Sequence, residues 1–148
     1  MTSGVSEMTG GRSNGPQPRA CSAATNPLML DRPPRRGEVW YAYIPGQPDD
    51  PHQPRPVLVV SSETRNRNAD DVMVVPLFMT GRLGPTRVAL DAGVGGVEHA
   101  CVLFCEELTT LDHDFLVDGP LGARIAESLL DRVVRSVRRA LGEIVLEP

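Results

Sequence analysis

Short apolar segments alternate with turn-forming residues over most of the chain between residues 38 and 117. Such segments, rich in Val, Ile and aromatic residues and bounded by Gly, Pro or polar clusters, are typical of β-strands. The pattern predicts five strands and a brief edge strand, at 38–44, 56–60, 72–77, 85–90, 101–106 and 115–117. The polar segment 62–70 predicts a loop or short helical turn, and 109–114 predicts a capped turn.

The periodicity changes near residue 123. From there to residue 141, apolar residues recur every three or four positions, which is the spacing of one buried helix face. Gly142 is suited to ending this helix, and the arginines that precede it suit the negative end of the helix dipole. Short strands followed by one helix predict a mainly β fold, a small curved barrel packed on a C-terminal helix.

The N-terminal segment differs in composition from the rest. Residues 1–34 are rich in Gly, Ser, Thr, Pro and Asn without periodicity, and they predict a disordered tail. The folded domain is then expected at residues 35–148. Met29 offers an alternative start codon, so the sequence leaves open whether the tail is part of the protein.

Charge and cysteine content restrict the class of protein. The 148 residues carry a net charge of −4, and all fifteen basic residues are arginine. Residues 1–36 have a balance of +3 and the remainder −7, so contact with a polyanion requires a local arginine cluster. Three cysteines do not form a disulfide framework, and no apolar run reaches the ~20 residues of a membrane span. A cytoplasmic protein without membrane association is expected.

Arg55 is the first candidate for chemistry, because it precedes the central strand. Pro56 has no N–H to give a sheet, so it is expected to open that strand and leave the guanidinium aimed outward, where it could bind an anion. The preceding loop has a proline at every third position from 45 to 54, the polyproline II period, and is expected to be stiff and exposed. Four polar residues on this loop could reach over a neighbouring site: Asp49, Asp50, His52 and Gln53.

Several motifs, taken in order, resemble one protein family. They are Arg36-Gly37-Glu38-Val39-Trp40, Arg55-Pro56-Val57-Leu58-Val59-Val60-Ser61, Val74-Val75-Pro76-Leu77, Thr80-Gly81-Arg82 and Cys105-Glu106-Glu107-Leu108-Thr109-Thr110-Leu111-Asp112. Together with the terminal helix they resemble the MazF/PemK toxin endoribonucleases over roughly residues 35–142. The resemblance implies an SH3-like barrel of five to seven strands, a homodimer, and an antitoxin whose acidic, extended tail covers the arginine groove. It also implies metal-free, cofactor-free cleavage of single-stranded RNA that leaves 2′,3′-cyclic phosphate and 5′-hydroxyl ends.

The family's catalytic pair is an arginine before the second strand and a threonine after the third. Arg55 matches the arginine. The threonine usually follows the proline and aliphatic residue directly, where this chain has Phe78. Thr80 matches through the Gly-Arg after it, which implies about two extra residues or a bulge. Phe78 is then expected to be a core residue or a surface on which a base stacks.

The remaining site residues are predicted to bind RNA. Arg82 and Arg87 extend the phosphate track, Arg65 and Arg67 flank it, and His52 and Gln53 approach from the loop. For Arg65 and Arg67, a solvated surface role is the favoured alternative.

The chemistry can be stated from the residues themselves. Cleavage through the 2′-hydroxyl needs in-line positioning, charge relief on the phosphorane and proton transfer at two oxygens. The fork of Arg55 suits two phosphate oxygens, whereas a threonine hydroxyl is a poor base at neutral pH. Thr80 is therefore interpreted chiefly as a positioning group, and His52 is the next candidate for proton transfer.

Other combinations of residues are less convincing candidates for a metal site or an acid–base pair. His99, Cys101 and Cys105 lack the fourth ligand and the spacing of a zinc site, so buried cysteines are favoured. The adjacent Glu106 and Glu107 point to opposite faces of a strand and predict no carboxylate dyad. The alternatives to a nuclease are a gyrase-poisoning toxin that acts through the C-terminal helix, and a degenerate barrel that only binds a partner.

Overall fold

The computed structural model describes residues 32–46 and 49–146. The chain divides into units of residues 1–33 and 34–148, and the second unit contains every element described below. The predicted disordered tail lies almost entirely outside the described residues, as does Pro48 of the proline-rich loop.

Seven strands and two helices form the described domain. The strands are β1 (Val39–Ala42), β2 (Arg55–Val59), β3 (Asp71–Phe78), β4 (Arg87–Leu90), β5 (Cys101–Phe104), β6 (Thr109–Asp112) and β7 (Leu116–Asp118). The helices are α1 (Glu63–Asn68) and α2 (Glu127–Ala140), and 3₁₀ turns span Val94–Gly96, Cys105–Glu107 and His113–Phe115. The prediction of a mainly β, barrel-like fold with a C-terminal helix is confirmed, although the sheet does not close.

All strand pairs are antiparallel, in the order β4-β5-β3-β2-β1-β7, with β6 also pairing β3. The long strand β3 joins the two parts of this sheet. Its first half pairs β6, its middle pairs β2, and its last two residues pair β5. The sheet therefore brings the start of β2 and the end of β3 close together.

The core consists of aliphatic side chains from both parts of the sheet and from α2. Leu58, Val75 and Leu103 are fully buried in it, as is Val133 of the helix. Valine and leucine make up most of this core, as expected for a chain in which only 4% of the residues are aromatic. Within the described residues, no helix is long and apolar enough to cross a bilayer.

The strand predicted at 101–106 ends at Phe104, and Cys105–Glu107 form a 3₁₀ turn, so Glu106 and Glu107 do not lie on a strand. Two further elements differ from the sequence prediction. Helix α2 begins at Glu127 rather than near 123, because the preceding segment hydrogen-bonds the start of β1: Leu121 N–H donates to Val39 O and Ile125 N–H to Gly37 O. Residues 109–112 are not a capped turn but strand β6, which pairs the first half of β3 in regular register. Long-range pairing outweighs the local signal in both places.

The loop between β1 and β2 is held at its base. The Gln53 carboxamide makes two hydrogen bonds with the backbone of Ile44, at 2.6 and 3.0 Å. The proline spacing has the polyproline II period, but residues 45–46 and 51–52 form turns. His52 N–H donates to the Asp50 carboxylate, so the Asp50 side chain stabilises the turn that follows it.

Candidate functional site

A cavity of about 300 Å³ opens where β2 begins and β3 ends. Residues from several parts of the chain line it, among them Tyr41, His52, Arg55, Phe78, Thr80 and His99. Arg55, Thr80 and His52 were predicted as site residues, and the structure brings all three to this one cavity.

Arg55 is buried, with only 6% of its surface exposed. One terminal nitrogen, Nη2, lies 2.8 Å from the Asp50 carboxylate, and the other donates to the carbonyl of Leu77 at 3.2 Å. The guanidinium carbon lies 4.1 Å from the centre of the Phe78 ring. The expectation of an outward-pointing guanidinium is therefore wrong, because the loop and the end of β3 close over it.

Asp50 neutralises this buried cation. Its side chain is 12% exposed, and the hydrogen bond from Arg55 lowers the pKa of the Asp50 carboxyl, assisted by the backbone N–H of His52. The Nε of Arg55 is also buried, and it has no hydrogen-bond partner among the described residues. A buried donor without a partner is unfavourable, which makes this N–H a candidate contact for an anionic ligand.

Thr80 lies beyond the end of β3 and is exposed at the rim of the cavity. The expected bulge does not occur, because β3 continues in register with β5 through Leu77 and Phe78. The strand extends to Phe78 instead, and Thr80 sits in the bend that follows. The half-buried Phe78 ring faces Arg55 on the cavity wall.

Arg87 and Arg82 lie at a separate surface recess and not in the Arg55 cavity. Arg87 Nη2 is 2.6 Å from the Glu106 carboxylate, and its guanidinium carbon lies 3.7 Å from the centre of the Phe104 ring. The hydrogen bond between them lowers the pKa of Glu106 and raises that of Arg87. Arg87 is therefore already engaged by a carboxylate.

The other predicted RNA-binding residues lie elsewhere. Arg65 and Arg67 are on α1, and Arg65 pairs with Asp71 at 2.6 Å. Asp71 and Phe78 are the two ends of β3, which an eight-residue strand separates by roughly 23 Å. Gln53 faces the Ile44 backbone, where it stabilises the loop.

Several residues of the cavity are not site candidates on the sequence alone. Glu98 and His99 reach it from the loop before β5, and their side chains are 3.9 Å apart and largely exposed. Tyr41 reaches it from β1. No local motif marks these residues, because only the folding of the sheet brings these segments together.

The two described cysteines are buried and unpaired. Burial raises the pKa of the Cys105 thiol to about 12, so this side chain remains protonated at neutral pH and is not a prepared metal ligand. Within residues 32–46 and 49–146, no group of three or more His, Cys, Asp or Glu side chains is arranged to hold a metal ion.

Comparison with known proteins extends this description. Endoribonuclease EndoA of Bacillus subtilis (strain 168) is 27% identical over 114 residues, which cover 74% of this chain and 96% of that protein. The solved structure of an endoribonuclease in complex with its cognate antitoxin, from a mycobacterial species, is 27% identical with a TM-score of 0.62. That match covers 76% of this chain and 99% of the other.

A more distant structure supports the fold alone. The MazE–MazF complex (Form-I) from Deinococcus radiodurans is 23% identical with a TM-score of 0.60, covering 76% of this chain and all of the matched chain. The model of the PemK-like, MazF-like toxin family matches residues 35–145. The chain therefore belongs to the PemK-like, MazF-like toxins of type II toxin–antitoxin systems.

Proposed function

We propose that this toxin cleaves single-stranded RNA at a selected sequence, by attack of a 2′-hydroxyl on the adjacent phosphate. The 2′-oxygen forms a bond to phosphorus, the bond from phosphorus to the 5′-oxygen breaks, and a proton moves from the first oxygen to the second. The products carry 2′,3′-cyclic phosphate and 5′-hydroxyl ends. Endoribonuclease activity itself follows from the family and from relatives that are named endoribonucleases.

The observation that carries the proposal is the buried Arg55 at the wall of a cavity that also contains Thr80 and His52. A fixed guanidinium in a largely dehydrated site stabilises developing negative charge more strongly than one in water. Arg55 thus supplies the positive charge that the phosphorane requires, and the mechanism assigns no role to a metal or cofactor.

Binding of RNA requires an exchange at Arg55. Asp50 occupies Nη2, and both this carboxylate and a phosphate are anions that accept from the same donor. We infer that the scissile phosphate takes the place of Asp50 and also accepts from the unpartnered Nε. Two adjacent N–H groups then face two phosphate oxygens, the geometry for which a guanidinium fork is suited.

Proton transfer is assigned to the groups around the phosphate. Thr80 positions the substrate with its hydroxyl, because a threonine is too weak a base to remove the 2′-proton alone. His52 lies on the cavity wall, and an imidazole can both accept and donate a proton, so it is the candidate for proton exchange.

The proposed partners follow from the family. A structural relative is solved with its cognate antitoxin, and we propose that an antitoxin with an acidic, extended tail covers the Arg55 cavity here. Its carboxylates would compete with RNA for the same cation. We further propose that the toxin acts as a homodimer.

Incubation of the purified protein with a long single-stranded transcript in EDTA tests the reaction. We expect cleavage at a few mapped sites, with fragments whose 3′ ends resist ligation until a phosphatase that opens cyclic phosphates is added. Loss of cleavage in EDTA, or fragments with 5′-phosphates, would overturn the proposed chemistry.

Replacement of Arg55 tests the electrostatic role. Arg55→Ala is expected to lower kcat by ~10²–10³-fold, the usual effect of removing one such donor. Arg55→Lys is expected to recover only part of the activity, because an ammonium cannot make the two-pronged contact. Steady-state cleavage of an oligonucleotide carrying a mapped site gives the measurement. Arg132→Ala, at an exposed position of α2, is the matched control. Wild-type kcat in Arg55→Ala would contradict the assignment.

Replacement of Thr80 tests the positioning hydroxyl. Thr80→Val keeps the shape and is expected to lower cleavage by ~10–10²-fold, whereas Thr80→Ser retains most activity. Thr64→Val, at an exposed position of α1, controls for loss of a surface hydroxyl. If Thr80→Val and Thr80→Ser cleave equally, the hydroxyl has no role and the threonine assignment fails.

Replacement of Asp50 tests the exchange. Asp50→Asn is expected to tighten binding of the same oligonucleotide, blocked by a 2′-deoxy group at the cleavage site, by ~10-fold, equivalent to ~1.4 kcal/mol. Fluorescence anisotropy measures this, with Asp49→Asn on the same loop as the control. An unchanged Kd in Asp50→Asn would show that Asp50 and RNA do not compete.

The pH dependence follows from the lowered pKa of Asp50. Because this carboxyl remains ionised throughout pH 5–8, the ratio of wild-type to Asp50→Asn Kd should be constant in that range. The ion pair likewise stabilises the folded wild-type protein above the ordinary pKa of 3.8, and that stabilisation is lost as pH falls through the lower folded-state value.

A further inference from the structure

Four side chains form a continuous stack that runs from the cavity to the recess on its far side. The guanidinium of Arg55 lies 4.1 Å from the centre of the Phe78 ring. The Phe78 and Phe104 ring centres are 4.2 Å apart with an angle of 38° between the planes. The guanidinium of Arg87 lies 3.7 Å from the centre of the Phe104 ring. Two aromatic rings are thus enclosed between two cations.

The far end of the stack is fixed. Arg87 Nε and Nη2 both donate to the Glu106 carboxylate, at 3.0 and 2.6 Å, and Nη1 donates to the carbonyl of Arg82. Arg87 begins β4 and pairs directly with Phe104 at the end of β5. Glu106 lies in the 3₁₀ turn that follows β5. Arg87 therefore covers the outer face of Phe104 from a position set by the sheet.

Phe104 also contacts the segment that carries Thr80. A Cβ added to Gly81 would lie 2.5 Å from Cε1 and 2.6 Å from Cζ of the Phe104 ring, closer than real side-chain atoms approach. Only a glycine allows the backbone after Thr80 to lie against this ring. The same aromatic ring therefore supports Phe78, which faces Arg55, and the bend that presents Thr80.

We propose that Phe104, held by Arg87 and Glu106, is a positioning residue that sets the orientation of Arg55 and Thr80 for cleavage. This inference rests on the proposed function, because it assumes that Arg55 stabilises the reacting phosphate. Without Phe104 the Phe78 ring loses its inner support and can tilt, and the guanidinium stacked on it tilts with it. Catalytic contacts are weakened by small displacements of the groups that make them.

In this arrangement Arg87 has a role different from the phosphate contact predicted from the sequence. A phosphate contact would weaken RNA binding when Arg87 is replaced. A positioning role lowers kcat and leaves binding of the blocked oligonucleotide nearly unchanged, because Arg87 lies outside the Arg55 cavity. Measuring kcat and Kd for the same Arg87 variant therefore distinguishes the two roles.

The first variant is Phe104→Leu, which keeps an apolar side chain and removes the ring. We expect kcat to fall ~10-fold while the Kd of the blocked oligonucleotide changes less than about twofold. Val72→Ala is the control, since it removes a fully buried side chain at the opposite end of β3 and lowers stability without touching the stack. We expect its kcat to remain within about twofold of wild type at a temperature where both variants are folded.

A second readout reports on Arg55 directly. In a ¹H–¹⁵N spectrum, the Nε–H of Arg55 should show a proton shift displaced upfield by the Phe78 ring and slow exchange with solvent. Phe104→Leu is expected to move this signal and speed its exchange, whereas Val72→Ala leaves it in place. A merely structural role of Phe104 would leave the signal unchanged.

Glu106→Gln provides a variant at an exposed position that should fold normally. It weakens the anchor of Arg87 without altering either ring, and we expect a ~2–5-fold fall in kcat at unchanged Kd. Wild-type kcat and an unmoved Arg55 signal in both Phe104→Leu and Glu106→Gln would overturn the inference. If Arg55→Ala itself retains wild-type kcat, the proposed function fails instead, so the two failures are distinguishable.

Discussion

The structure of the site depends on the burial of one cation. A guanidinium removed from water is strongly unfavourable unless charge and hydrogen bonds replace its hydration. For Arg55 these come from the Asp50 carboxylate, the Leu77 carbonyl and the face of Phe78. The first belongs to the loop before β2 and the other two to the end of β3, so the cation is accommodated only when these segments have come together.

This constraint couples the loop to the buried cation. Two hydrogen bonds between the Gln53 carboxamide and the Ile44 backbone fix the base of the loop. Asp50, in the middle of the loop, forms an ion pair with Arg55. In the free protein the carboxylate satisfies the cation and keeps it in place. In the proposed reaction a phosphate takes that position and meets a guanidinium that is already oriented, so this group does not have to reorganise. Under that proposal the same carboxylate holds Arg55 in the free protein and competes with RNA for it.

The long strand β3 connects both parts of the sheet to this arrangement. It pairs β2, which begins with Arg55, and β5, which ends with Phe104. The ring contact between Phe78 and Phe104 follows from that second pairing and extends the support of Arg55 to a surface ion pair on β4. Residues that touch no substrate in the proposed reaction are in this way part of the construction of the site.

The sequence by itself determined the strand-rich architecture, the C-terminal helix and the choice of Arg55 as a candidate site residue, because these depend on local periodicity and on motifs within short segments. It could not give the start of α2, strand β6, the burial of Arg55, or the contacts of Asp50, Phe78 and His99 with the site. Those depend on partners far apart in the chain. The β1 backbone takes up the hydrogen bonds of the segment before α2, and the packing of the loop and β3 decides where the guanidinium points. Side-chain direction at a strand end is set by what packs against it, and only the tertiary structure supplies that neighbour.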